Sequence, residues 1–189
     1  GFRPSVDVLW DSLLSSGHQV YGIASDDAHD FSWYGKALRR FGTAPPGGAW
    51  IMVKAADLQA NELVTAISDG DFYASTGVYL KRVAADSGVY KVELDMDRTR
   101  TDSRRAWIRD AAPIVPSDDS HFVIEFFGAN GRLLHSVHNQ LEAGFPIKPE
   151  DIYVRSRITY LDKLPSLTGA DRARAFYAWT QPVFAAPAN

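Results

Sequence analysis

The segment YGIASDDAHDF, Tyr21 to Phe31, breaks from a short apolar run into Asp26, Asp27, His29 and Asp30. Carboxylate oxygen and imidazole nitrogen together suit Zn, Mn or Fe better than Ca or Mg. Asp27 and His29 are separated by one residue, so in extended backbone both side chains project to the same side. The plain alternative is a polar turn, because Asp caps helices and satisfies the backbone of turns. Against it stand the density of acids, the histidine at spacing two and the apolar run before them. Asp27 and His29 make two ligands, whereas a catalytic metal usually takes three or more from the protein. The others must lie elsewhere.

The remaining histidines supply them poorly. His18 falls in a turn at the opposite end of the apolar run, His121 opens a β segment, and His135 and His138 follow Asn130-Gly131 in LLHSVHN. A pair at i, i+3 can share a metal on a helix but faces opposite sides of an extended segment. These read as structural residues. No serine stands in a nucleophile-elbow pattern, and GTAPPGG lacks the lysine and following helix of a phosphate-binding loop. Ser75 and Thr76 in YASTG sit at a strand end, where such residues most simply finish the strand.

The turn needs elements to carry it. PSVDVLWDSLLSSG places Val6, Leu9, Trp10, Leu13 and Leu14 at helical spacing, which predicts a helix with one buried stripe. Ser5 suits the N-cap, Asp7 the positive end of the helix dipole and Gly17 the C′ position. Gln19 to Ser25 then predicts a buried strand that delivers the acidic turn. The stretch from Phe31 to Gly48 is rich in Gly, Pro and aromatics and reads as a long functional loop. Beyond it, AWIMVKA predicts a strand, ADLQANELVTAISDG a helix stopping at Gly70, and DFYASTG a short strand. Such alternation favours parallel strands joined by crossover helices, in a barrel or open sheet whose active face lies at the C-terminal strand ends.

Near Leu80 to Ala85 the period changes from helical to two. VYKVELDM alternates, HFVIEFFGANGRLLHSV sets an Asn130-Gly131 turn between two apolar runs, and DIYVRSRITYL and RAFYAWTQPVF follow as strands. The expected fold class is therefore α/β followed by all-β, with residues 1–80 in the first part and a small antiparallel β-sandwich over 81–189.

Composition bounds the function classes. With 189 residues, 46% hydrophobic, the chain can bury a core for one large or two small domains. Lys and Arg number 20 against 23 Asp and Glu, and the only basic clusters are Arg39-Arg40 and Arg104-Arg105, so no nucleic-acid surface is expected. Cysteine is absent, which removes disulfides and thiolate sites and leaves any metal to His and carboxylates. No apolar run approaches the ~18 residues of a membrane span, and no signal-peptide order opens the chain. The helix pattern starts within a few residues of Gly1, as expected of a chain entering midway through a larger fold. Localisation stays open.

LWDSLLSSGHQVYGIASDDAHDF followed by DLQANELVTAISDGDFYASTG resembles the C-terminal part of the PHP (polymerase and histidinol phosphatase) superfamily, whose last metal motif is an Asp-x-His pair after a late barrel strand. Asp27-Ala28-His29 matches that pair. The chain looks closest to bacterial PHP-type metallohydrolases in which YASTG leads into a β-sandwich ending in a segment like AWTQPVF, here Ala178 to Phe184. The resemblance implies the last repeats of a distorted (βα)7 barrel over residues 1–80 and an appended sandwich domain over 81–189. It implies two or three divalent metals, Mn, Zn or Fe, that activate a bridging water and polarise a small-molecule phosphate ester. Asp27 would ligate metal and accept a proton from that water, His29 would ligate metal, and Asp26 would orient His29 from behind.

The departure is equally specific. The family's first ligands are a His-x-His pair, followed by a Glu and further histidines, and no His-x-His occurs in this chain. The remaining donors would then come from an N-terminal barrel segment or a partner chain, with neither nucleic acid nor membrane involved. Two other readings stand beside this one. Some relatives cut carboxylic or carbamate esters with the same metals. Alternatively the sandwich is a non-catalytic binding module, with Trp107 and Trp179 on a carbohydrate or protein contact surface and the acidic loop merely structural.

Overall fold

Period-two alternation builds most of the molecule. The structure, a computed structural model, describes residues 4–28, 47–103, 121–164 and 172–185. Helix α1 spans Val6–Ser15, α2 Ala60–Asp69 and α3 Met96–Ser103. The strands are β1 Trp50–Val53, β2 Phe72–Ser75, β3 Leu80–Asp86, β4 Val89–Leu94, β5 His121–Gly128, β6 Arg132–His138, β7 Glu142–Pro146, β8 Tyr153–Leu164, β9 Arg172–Thr180 and β10 Val183–Phe184. One sheet runs β1-β2-β9-β8-β5-β6 with β10 on β8, and the second runs β3-β4-β7. Every pairing among the described residues is antiparallel. The larger sheet takes strands from both sides of residue 80. The chain is thus mixed α/β with mainly antiparallel sheets.

The two sheets close on one core. Val154, Ile158 and Tyr160 of β8, Ile124 and Phe126 of β5, and Phe176 and Ala178 of β9 meet Tyr90, Val92 and Leu94 of β4. Phe126 bridges the layers, edge-on to Tyr90 at 6.2 Å and stacked on Phe145 at 5.8 Å. The opposite face of the larger sheet is used as well: Tyr153 packs with Trp10 and Leu14 of α1. Three layers result, α1, then the seven-stranded sheet, then the three-stranded one.

Local signals account for the ends of these elements. Ser5 caps α1 by accepting from the Val8 N–H at 3.4 Å, and Gly17 follows the helix at φ +84°. Asn130 and Gly131 both adopt positive φ, +58° and +68°, as a tight turn between β5 and β6 requires. No helix among the described residues is long and apolar enough to cross a membrane.

Three expectations are corrected. Strands β1 and β2 do not form a parallel crossover unit; they pair antiparallel, Trp50 opposite Ser75 and Val53 opposite Phe72. The Lys54 N–H donates to the Asp71 carbonyl at 2.8 Å, which closes the α2 excursion at the same end of the sheet where it began. Second, the segment from Gln19 to Ser25 is not a buried strand: it joins no ladder among the described residues, and Ile23 is 72% exposed. Third, α1 does not bury its whole apolar stripe. Trp10, Asp11 and Leu14 are buried, while Val6, Leu9 and Leu13 face out, because the buried pairing of Asp11 with Arg155 sets which side of the helix meets the sheet.

Candidate metal-binding turn

Gly17 ends α1 and releases the chain toward the acidic turn. With no strand paired to them among the described residues, residues 19–25 are held by side chains. The Trp10 Nε1–H donates to the Val20 carbonyl at 2.8 Å. Gln181 grips both backbone groups of Gly22, accepting from its N–H and donating to its carbonyl, each at 2.8 Å. The Tyr21 hydroxyl donates to the Asp69 carbonyl at 2.9 Å, and its ring stands edge-on to Phe72 at 6.1 Å. Two glycines admit these contacts. A Cβ on Gly22 would lie 2.9 Å from Trp10 Cη2, and one on Gly70 would lie 2.5 Å from Tyr21 Cε1.

The turn itself is built around Asp26. Its Oδ2 accepts from the Gly47 N–H and its Oδ1 from the Ala28 N–H at 3.2 Å. These two amides, Gly47 first, hold the Asp26 carboxyl below the ordinary carboxylate range. Asp26 therefore links the turn to Gly47, 21 positions along the chain. Asp27 is exposed and adopts φ +54°, in the left-handed region that Asp enters more readily than most non-glycine residues. Its N–H points to Ser25 Oγ at 3.5 Å.

His29 lies outside the described residues, as do Asp30, Arg39, Arg40, Arg104, Arg105 and Trp107. Asp27 itself is not in extended backbone, its φ being positive. Asp26 uses its carboxylate on backbone amides, which is the work of a turn-forming Asp. The other histidines sit apart from any donor cluster among the described residues: His135 stacks on Phe126 with ring centroids at 6.3 Å, and His138 Nε2 lies 3.2 Å from Ser136 Oγ. Among the described residues no three His or carboxylate side chains converge. Asp27 has the right chemistry for a hard or borderline metal, but a site there needs donors beyond these residues.

Ser75 and Thr76 have structural partners. Ser75 Oγ donates to the Val78 carbonyl at 2.7 Å and accepts from the Gly77 N–H, while Thr76 Oγ1 accepts from the Tyr177 N–H at 2.9 Å. Trp179 is partly buried against the Trp10, Leu14 and Tyr153 cluster and stacks on Tyr177 at 5.3 Å, so it serves packing more than an open platform.

Sequence reasoning missed the most polar buried feature. Arg155, 2% exposed, binds Asp11 through two hydrogen bonds of 2.7 Å, and the Tyr153 hydroxyl donates to the same carboxylate at 2.8 Å. The Arg155 guanidinium also lies over the Trp10 ring at 4.7 Å. The available signal was Asp11 itself, an acid set between Trp10 and Leu14 on the helix face that packs inward, with Arg155 and Arg157 alternating on one face of β8. Comparison of the chain with protein-family models, with curated proteins and with solved structures finds no match.

Proposed function

We propose that this chain contributes the C-terminal share of a divalent-metal-dependent phosphoesterase, with Asp27 and His29 as its ligands. The resemblance of SDDAH to the last PHP metal motif motivates the assignment. The observation that carries it is the exposed carboxylate of Asp27, in a turn whose approach is fixed by Trp10, Tyr21 and Gln181.

The first part also exposes apolar side chains. Val6, Leu9 and Leu13 of α1, Val20 and Ile23 before the turn, and Val64 and Ile67 of α2 are all exposed. In this reading further barrel repeats cover these side chains and bring the missing ligands. A bound metal would supply an activated water and charge neutralisation for the ester. Asp27→Ala and His29→Ala in the complete enzyme should each lower metal content and aryl phosphate hydrolysis by more than the ~10–100-fold typical of outer-shell partners. Unchanged turnover and metal content in both variants would sink the assignment.

A further inference from the structure

Gln181 stands between β9 and β10 and is 5% exposed. Its side-chain amide offers Gly22 one acceptor and one donor, the pair of groups that a neighbouring strand would offer. Gln181 is itself firmly seated. The Tyr90 hydroxyl, from the opposite sheet, donates to its backbone carbonyl at 3.0 Å. The adjacent Thr180 accepts from the Ser156 N–H at 2.8 Å. On the other side, Gly22 lies so close to the Trp10 indole that a Cβ there would meet Trp10 Cη2 at 2.9 Å. The segment is therefore pinched between a fixed amide and a fixed ring.

Because residues 18–28 join no ladder among the described residues, these grips take over what sheet pairing does elsewhere. We propose that Gln181 is a positioning residue for the Asp26–Asp27 turn, through which the sandwich sets where the proposed metal ligand stands. Its functional consequence rests on the metal-site reading above; its geometry does not. Removing the amide returns the Gly22 N–H and carbonyl to water and frees the chain leading into Asp26. A displaced ligand weakens a metal site much as loss of an outer hydrogen-bond partner does.

The test uses the complete enzyme and compares the parent with Gln181→Met, Gln181→Glu and Asp27→Ala. Two quantities are read: the Mn2+ dissociation constant, and amide exchange at Gly22 with Ile124 and Ile158 as references in the sheet core. Both Gln181 variants should speed Gly22 exchange by about tenfold or more while the reference amides hold. The Mn2+ dissociation constant should rise about 10–100-fold. Gln181→Glu keeps an acceptor for the Gly22 N–H, so its exchange should rise less than that of Gln181→Met. Unchanged Gly22 exchange, or equal acceleration at Ile124 and Ile158, overturns the positioning role. Parent-like Mn2+ binding in both Gln181 variants, with binding lost in Asp27→Ala, overturns the functional consequence alone. If Asp27→Ala keeps its Mn2+, the metal reading falls and that consequence with it, while Gly22 exchange still judges whether Gln181 holds the turn.

Discussion

Asp26 shows how one carboxylate can join backbone groups far apart in the chain. Its oxygens accept from Gly47 and Ala28, and those bonds favour the charged form, so its folded pKa lies below the unfolded value. The clamp is fully present above the unfolded carboxylate pKa and is lost as pH falls through the lower folded value. The Gly47 amide resonance should therefore stay constant from neutral pH down to about pH 4 and move only below it. A shift centred well above that range would mean that another group controls the turn. Asp26 stood out in the sequence as a member of an acidic cluster. That both of its oxygens serve backbone was not legible there, because Gly47 lies 21 positions away.

At the scale of elements, the attachment of α1 to the sheet turns on Asp11. Ordinary amphipathic reasoning expects the leucine stripe inside, yet a buried ion pair selects a different face. Removing one partner of such a pair leaves an uncompensated buried charge, which costs about 3–5 kcal/mol. Arg155 Nη1 already lacks a hydrogen-bond partner among the described residues, so Asp11→Ala should fall toward the upper part of that range. Asp7, 3.8 Å from Arg155 Nη2, offsets only a little, being partly exposed. Asp11→Leu combined with Arg155→Met should recover most of the loss, since apolar replacement of a buried pair is often neutral. Urea unfolding of the single and double variants measures both. A loss below about 1 kcal/mol in Asp11→Ala would show that the helix is held by Trp10 and Leu14 alone.

Across the whole molecule, the larger sheet is the middle layer, and the tyrosines buried on its two faces report on both interfaces. Tyr90 lies between the sheets and Tyr153 under α1, and burial raises the pKa of each above the ordinary 10.0, Tyr153 to about 12 with help from the Asp11 carboxylate. Both are neutral when folded and ionise more readily when unfolded. Their contribution to stability is thus complete below about pH 10 and declines as pH rises above it. The urea midpoint should fall steeply from about pH 10 upward, and Tyr153→Phe should flatten that fall while lowering the plateau through its lost bond to Asp11. A midpoint independent of pH across this range would contradict the burial of both hydroxyls.

Much of the architecture was legible from local chemistry. The helix caps at Ser5, Gly17 and Gly70, the Asn130-Gly131 turn, and the alternating strands β4, β5, β8 and β9 follow from side-chain period and backbone preference, which neighbouring residues already decide. The candidate Asp27 is likewise a local signal, an acid after an apolar run. Pairing direction, the face of α1 that is buried, and the failure of Gln19 to Ser25 to enter a ladder are of another kind. Each depends on a partner far along the chain: Asp71 for Lys54, Arg155 for Asp11, Gln181 for Gly22. A hydrogen bond or ion pair is worth making only where folding has already brought both groups together and excluded water, and no local period encodes that meeting.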